Sequence, residues 1–149
     1  MKGFPDLPPI WWLGSIAVIY LGKYLAPGWH IDIAVFTLGS KLILAGALFI
    51  IAWSGIWFYK KKTPIEPHHQ PKTLIKEGPY RLSRNPIYLS LILLTCASAL
   101  GHGSVLGLVC AAILWWVLNR RFVLPEEAAL LRAFGREAEA YFKATRRWI

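Results

Sequence analysis

The chain has 149 residues, 56% of them hydrophobic and 14% aromatic, with a formal net charge of +9. That length suits one domain, and so apolar a composition is unusual for a soluble domain and points to a bilayer. Fourteen of the seventeen Lys and Arg lie in two blocks, residues 59–86 and 120–149, each flanking an apolar run; this is the loop bias of a membrane protein, and it argues against nucleic-acid binding.

Residues 7–22, "LPPIWWLGSIAVIYLG", carry no charge and form the first expected span. No cleavable signal peptide is expected, because only Lys2 precedes the apolar run and no clear small-residue cleavage site follows it. His30 and Asp32 belong to an outer loop, and Lys23 lies on or near that face. Residues 42–59, "LILAGALFIIAWSGIWFY", form the second span, with Lys41 snorkelling from its outer end. Residues 85–119 hold no Lys, Arg, Asp or Glu, and "GHGS" at 101–104 divides them. Two helices are expected there, about 86–100 and 104–119, each roughly 24 Å long at about 1.5 Å per residue. That is slightly short for a hydrocarbon core of about 30 Å, so the bilayer thins or the helix ends extend.

The expected fold is therefore an all-α membrane bundle of about four spans in a single domain, residues 1–149. Residues 1–59 supply the first two spans, and 60–149 supply a loop, a helical hairpin and a C-terminal helix. Both termini and the 59–86 loop are expected to face the cytoplasm. This places 15 Lys and Arg on that side, against Lys23 and Lys41. Trp11, Trp12, Trp57, Trp115 and Trp116 lie near run ends, where aromatic belts form. Cys96 and Cys110 lie inside apolar runs and read as packing residues, with no disulfide or metal spacing.

The segment "LPEEAALLRAFGREAEAYFKATRRW" opens with Pro125 and the acids Glu126 and Glu127, which suit a first helical turn. Leu130, Phe134, Ala138, Tyr141 and Phe142 share one stripe, so a single amphipathic helix is expected on the cytoplasmic membrane surface or under the spans. Gly135 inside it costs about 1 kcal/mol relative to alanine; a close approach by another element is the expected reason.

Chemistry concentrates in "TPIEPHHQPKTLIKEGPYRLSRNPIY", residues 63–88. Pro64, Pro67 and Pro71 stiffen its start, and Gly78-Pro79 punctuates it again. Asn85-Pro86 opens the third span, leaving unpaired backbone N–H groups at the cytoplasmic face. Arg84, Asn85, Tyr80 and Tyr88 supply donors for a carboxylate, polar groups for hydroxyls, and aromatic faces for a base or sulfonium. If the third and fourth spans form a hairpin, Glu126 and Glu127 meet Arg84 and Asn85. The adjacent His68-His69 is weak evidence for a metal, and no metal is expected.

The pattern L-x-x-x-G-P-Y-R-x-S-R-N-P-x-Y-L, followed about 35 residues later by E-E-x-x-L-x-x-x-F-G-x-E-x-x-x-Y and a closing R-R-W-I, closely resembles a group of integral membrane enzymes. They are the isoprenylcysteine carboxyl methyltransferases and phospholipid methyltransferases, and the small size resembles the short prokaryotic members. The likeness covers residues 63–149, and the two preceding spans also fit. It implies a C-terminal half that binds S-adenosylmethionine, closed by the linking loop and the C-terminal helix, with a lipid-like acceptor entering from the membrane. Position by position it implies cofactor contacts at Lys72, Thr73, Leu74 and Ile75, at Tyr80, at Asn85, Pro86, Ile87 and Tyr88, and at Glu126. Arg84 would fix the loop or the cofactor carboxylate, while Glu127 and Arg121 would orient the substrate or brace the site.

Two departures matter. Asn85 stands where the family often has histidine, so no histidine base acts there. Arg121 lies one position from a substrate-side arginine of the eukaryotic enzymes, and Phe122 aligns there instead. Methyl transfer from a sulfonium needs mainly positioning and exclusion of water. A general base is optional for a carboxylate acceptor and needed more for an amine. The alternatives are an NADPH-dependent membrane reductase of the steroid and sterol type, whose C-terminal half has a similar pattern, and a small non-catalytic membrane protein.

Overall fold

A computed structural model describes residues 6–25, 27–31, 34–61 and 73–149. Among them the fold is all-helical, with six α-helices: α1 Pro8–Leu25, α2 Ala34–Lys61, α3 Pro86–Gly101, α4 Val105–Leu118, α5 Leu124–Phe134 and α6 Arg136–Ala144. Short 3₁₀ turns occupy Pro27–Trp29 and Gly78–Arg81, and a π-turn occupies Asn119–Val123. Lys72, His68-His69 and Asp32 lie outside the described residues.

The uncharged run divides where glycine and histidine interrupt it, with a turn between Gly101 and Val105. The second apolar helix is longer than its uncharged core: α2 has 28 residues against an expected 42–59 and takes in Lys41, which is exposed. One lysine near a helix end does not stop helix propagation, because its stem packs while its ammonium reaches outward. Two helices are long and apolar enough to cross a membrane, Val35–Lys61 and the continuous helical stretch Val105–Phe134; Pro86–Gly101 is apolar but shorter. Along α2, Leu42 is 67% and Phe49 63% exposed. Rows of large apolar side chains facing outward suit lipid, whereas in water they would form an adhesive patch.

Two compact units emerge. The first takes the described residues up to Ala47 together with Leu91–Val117. Its core includes Ile19, Ala97, Ala99, Ala111 and Leu114. The small side chains let helix backbones approach closely. Ile31 N–H donates to Gly103 O at 2.8 Å, and Tyr20 meets His102 edge-on at 4.6 Å between ring centres.

The second unit, Leu48–Ser90 with Leu118–Ile149, carries the polar chemistry. The expected single C-terminal helix is broken. Gly135 adopts φ +50°, ending α5, and α6 begins at Arg136. Among the described residues the expected close approach is absent: none lies within 4 Å of a Cβ placed on Gly135. The glycine is needed for its backbone angle. The stripe still finds a core. Leu74, Ala138 and Tyr141 are buried together, with Leu130, Phe134 and Phe142 packed against them.

Candidate functional site

The site grows from two helix starts. At α3, Pro86 is fully buried and its fixed φ suits a first helical position. Ser83 Oγ accepts from the Asn85 backbone N–H at 3.1 Å, and Leu89 N–H donates to Asn85 O at 2.9 Å. At α5, Pro125 cannot donate a backbone hydrogen bond and its ring crowds the carbonyl one turn back. The backbone widens into the π-turn immediately before it, with Leu124 N–H donating to Asn119 O. Glu126 and Glu127 then fall in the first turn of α5, where the helix dipole favours negative charge.

The two neighbouring carboxylates have different partners. Glu126 Oε1 accepts a hydrogen bond from the Tyr88 phenol, and the Tyr88 ring lies 6.1 Å from that of Phe122. Glu127 is 7% exposed and takes two guanidinium groups. Arg147 Nε is 3.0 Å from Oε1 and 3.1 Å from Oε2, and its Nη2 is 2.7 Å from Oε2. Arg84 Nη2 lies 3.2 Å from Oε1. The Arg84 guanidinium also stacks 4.2 Å above the Phe142 ring, a cation–π arrangement. Burial pulls the Arg84 pKa down, while Glu127 holds that of Arg147 up.

The segment after α6 closes on the start of α3. Arg84 N–H donates to Arg146 O at 3.0 Å, and Arg147 O accepts from Ser83 Oγ at 3.2 Å and from Asn85 Nδ2 at 3.0 Å. A third wall is the 78–81 turn. Gly78 has φ +61°, and a Cβ there would stand 1.9 Å from Trp57 Nε1, so only glycine lets the turn pass under that indole. Tyr80 is buried, its ring edge-on to Phe58 at 5.9 Å, and its carbonyl accepts from Tyr141 Oη at 2.7 Å. Burial first, and each other's proximity next for Tyr80, raise these phenols well above their ordinary range, so both stay protonated donors.

Of the residues singled out in the sequence, Arg84, Asn85, Tyr88, Glu126 and Glu127 come together through these contacts, with Pro86 beneath them. Tyr80 joins through Tyr141. Leu74 and Ile75 are buried, Leu74 in the α5–α6 core, and Thr73 and Ile87 are half-buried. Arg121 sits on the π-turn and is exposed. Lys72 lies outside the described residues. Sequence reasoning gave no role to Arg147 or Ser83. The closing R-R-W-I was a visible signal for the first, but nothing in its spacing named Glu127 as the partner.

The fold and cluster define a class: an all-helical protein with membrane-length apolar helices and a polar site of acids, arginines and tyrosines where two helices begin. The model of the phospholipid methyltransferase family matches residues 34–137, and the chain belongs to that family. The matched range includes α2, both helix starts and Glu126–Glu127, and stops before Arg147. No individual curated protein matches the chain. Family membership supports methyl transfer involving lipid-like substrates.

Proposed function

We propose that the chain transfers a methyl group from S-adenosylmethionine to a lipid-like or isoprenoid-linked acceptor at the cytoplasmic membrane face. It works as one membrane domain of four spans, α1 to α4, with α5 and α6 on the cytoplasmic side. The observation that carries the reading is Glu126. It is a half-buried carboxylate whose neighbour Glu127 takes two guanidiniums while it takes a neutral phenol. Among the described residues no cation pairs with Glu126, and a carboxylate so held in a low-dielectric setting favours a cationic ligand.

The residues present fit this cofactor. Glu126 offers an acceptor for an ammonium or ribose hydroxyl, Tyr88 and Tyr80 offer aromatic faces, and Leu74 and Ile75 offer apolar wall. When bound, the cofactor supplies an electrophilic methyl group on a sulfonium. The chain's own part is placement. The Tyr88 phenol fixes the rotamer of Glu126, Asn85 and Pro86 set the first turn of α3, and Glu127 braces Arg84. Arg121, exposed on the π-turn, orients the acceptor or braces the site. Asparagine at 85 supplies no titrating base, which suits an acceptor that is already a nucleophile at neutral pH.

Calorimetric titration in detergent tests this. Wild-type protein is expected to bind S-adenosylmethionine and not NADPH. Glu126→Gln should weaken binding about tenfold to hundredfold, the worth of a hydrogen bond to a charged group, and Tyr88→Ala should weaken it as well, with both variants folded. Unchanged affinity in both variants removes the site assignment. Binding of NADPH instead makes the chain a reductase.

A further inference from the structure

The Arg147 contacts have a pattern that the cofactor reading leaves unused. The side chain clamps Glu127 at the start of α5, at 2.7 to 3.1 Å. The carbonyl of the same residue takes the Asn85 side-chain amide at 3.0 Å and the Ser83 hydroxyl at 3.2 Å, at the start of α3. One residue thus ties both helix starts, and the carbonyl before it takes the Arg84 N–H at 3.0 Å. Three residues after Asn85 and one before Glu127, the direct bridge Tyr88–Glu126 spans the same gap.

We infer that Arg147 is a positioning residue: the segment after α6 fixes the separation of the α3 and α5 starts, and so brings Tyr88 and Glu126 into contact. The charge balance supports this. Glu127 faces two guanidiniums and is nearly buried. Bidentate guanidinium–carboxylate pairing is directional as well as strong, so it fixes orientation where a lone ammonium would not. Arg84, held by the same carboxylate and stacked on Phe142, locks the geometry from the other side. Asn85 then serves as a reader of main chain: its amide donates to a carbonyl of this segment.

The inference rests on the reading of Tyr88 and Glu126 as ligand groups, and its test separates the two. Hydrogen exchange of the ligand-free protein is followed by mass spectrometry for wild type, Arg147→Ala and Arg147→Lys. S-adenosylmethionine affinity is measured alongside. Arg147→Ala should accelerate exchange at least tenfold in residues 84–90 and in 124–130, with α1 unchanged, and should weaken S-adenosylmethionine at least tenfold. Arg147→Lys, which keeps charge without the fork, should fall between. If Arg147→Ala does not fold, Arg147→Lys decides alone by the same two local segments. Exchange unchanged in both segments, or accelerated evenly along the chain, overturns the inference. A wild type that does not bind S-adenosylmethionine overturns the cofactor reading, while the exchange result still decides the role of Arg147.

Discussion

At the residue scale, two adjacent carboxylates carry different work because helical geometry points them to different neighbours. Successive positions on a helix are about 100° apart, so Glu126 reaches Tyr88 while Glu127 reaches Arg84 and Arg147. Removing each should give a different signature. Glu127→Ala strands the mostly buried Arg84, whose side chain is 12% exposed, and leaves Arg147 unpaired. Losing one partner of a buried ion pair costs about 3 kcal/mol or more, so the thermal midpoint in detergent should fall sharply. Tyr88→Phe removes one hydroxyl and keeps the ring, so the midpoint should barely move while S-adenosylmethionine affinity falls about tenfold, matching about 1.4 kcal/mol for one hydrogen bond. Equal thermal losses in the two variants would mean that the carboxylates are not divided between bracing and binding. The sequence made the acids and Arg84 legible, since their order and spacing matched a family pattern. It left Arg147 silent, because neither a side-chain pair 20 residues apart nor side-chain hydrogen bonds to a carbonyl 62 and 64 residues away leave a periodicity.

At the element scale, the apolar stripe of the last segment was readable and its break was not. Leu130, Phe134, Ala138, Tyr141 and Phe142 form one core with Leu74, as a 3.6-residue period implies. Gly135 was legible as an oddity whose expected cause, a close neighbour, is not found among the described residues. Periodicity across one residue cannot report a change of backbone sign, because the stripe resumes on the far side. The positive φ predicts the response to substitution. Gly135→Ala meets no steric contact from its Cβ, so its penalty is backbone strain of about 1–2 kcal/mol. Part of that strain is relieved if α5 and α6 join into one helix, which would swing Tyr141 away from the Tyr80 carbonyl it now bonds at 2.7 Å. The expected outcome is a modest gain in helical circular dichroism with a lower thermal midpoint. A higher midpoint would mean that the break is incidental. The length of α2 was underestimated for a related reason: Lys41 marks the edge of an uncharged run, but a helix ends where its backbone stops, and that is earlier, at Ala34.

At the scale of the whole molecule, charge and apolar length together set the expected orientation. The blocks 59–86 and 120–149 hold fourteen of seventeen Lys and Arg, and the second unit, which contains the described part of the first block and all of the second, also contains the Glu126–Glu127 cluster. The positive-inside rule puts such blocks in the cytoplasm. The 101–104 turn carries no Lys, Arg, Asp or Glu, so it is free to be translocated. Single-cysteine labelling resolves this directly. With Cys96 and Cys110 replaced by alanine, a cysteine at exposed Lys60 and one at half-buried His102 should respond oppositely to a membrane-impermeant maleimide in intact cells. The His102 variant should label from outside, and the Lys60 variant only after the membrane is opened. The half-buried state of His102 slows its reaction, so the comparison is made with each variant's own labelling in opened cells. Labelling of both from outside would reverse or dissolve the four-span arrangement. Labelling of Lys60 alone would put the carboxylate cluster on the face where S-adenosylmethionine, a cytoplasmic metabolite, does not reach it, and methyl transfer from that donor would then have no route.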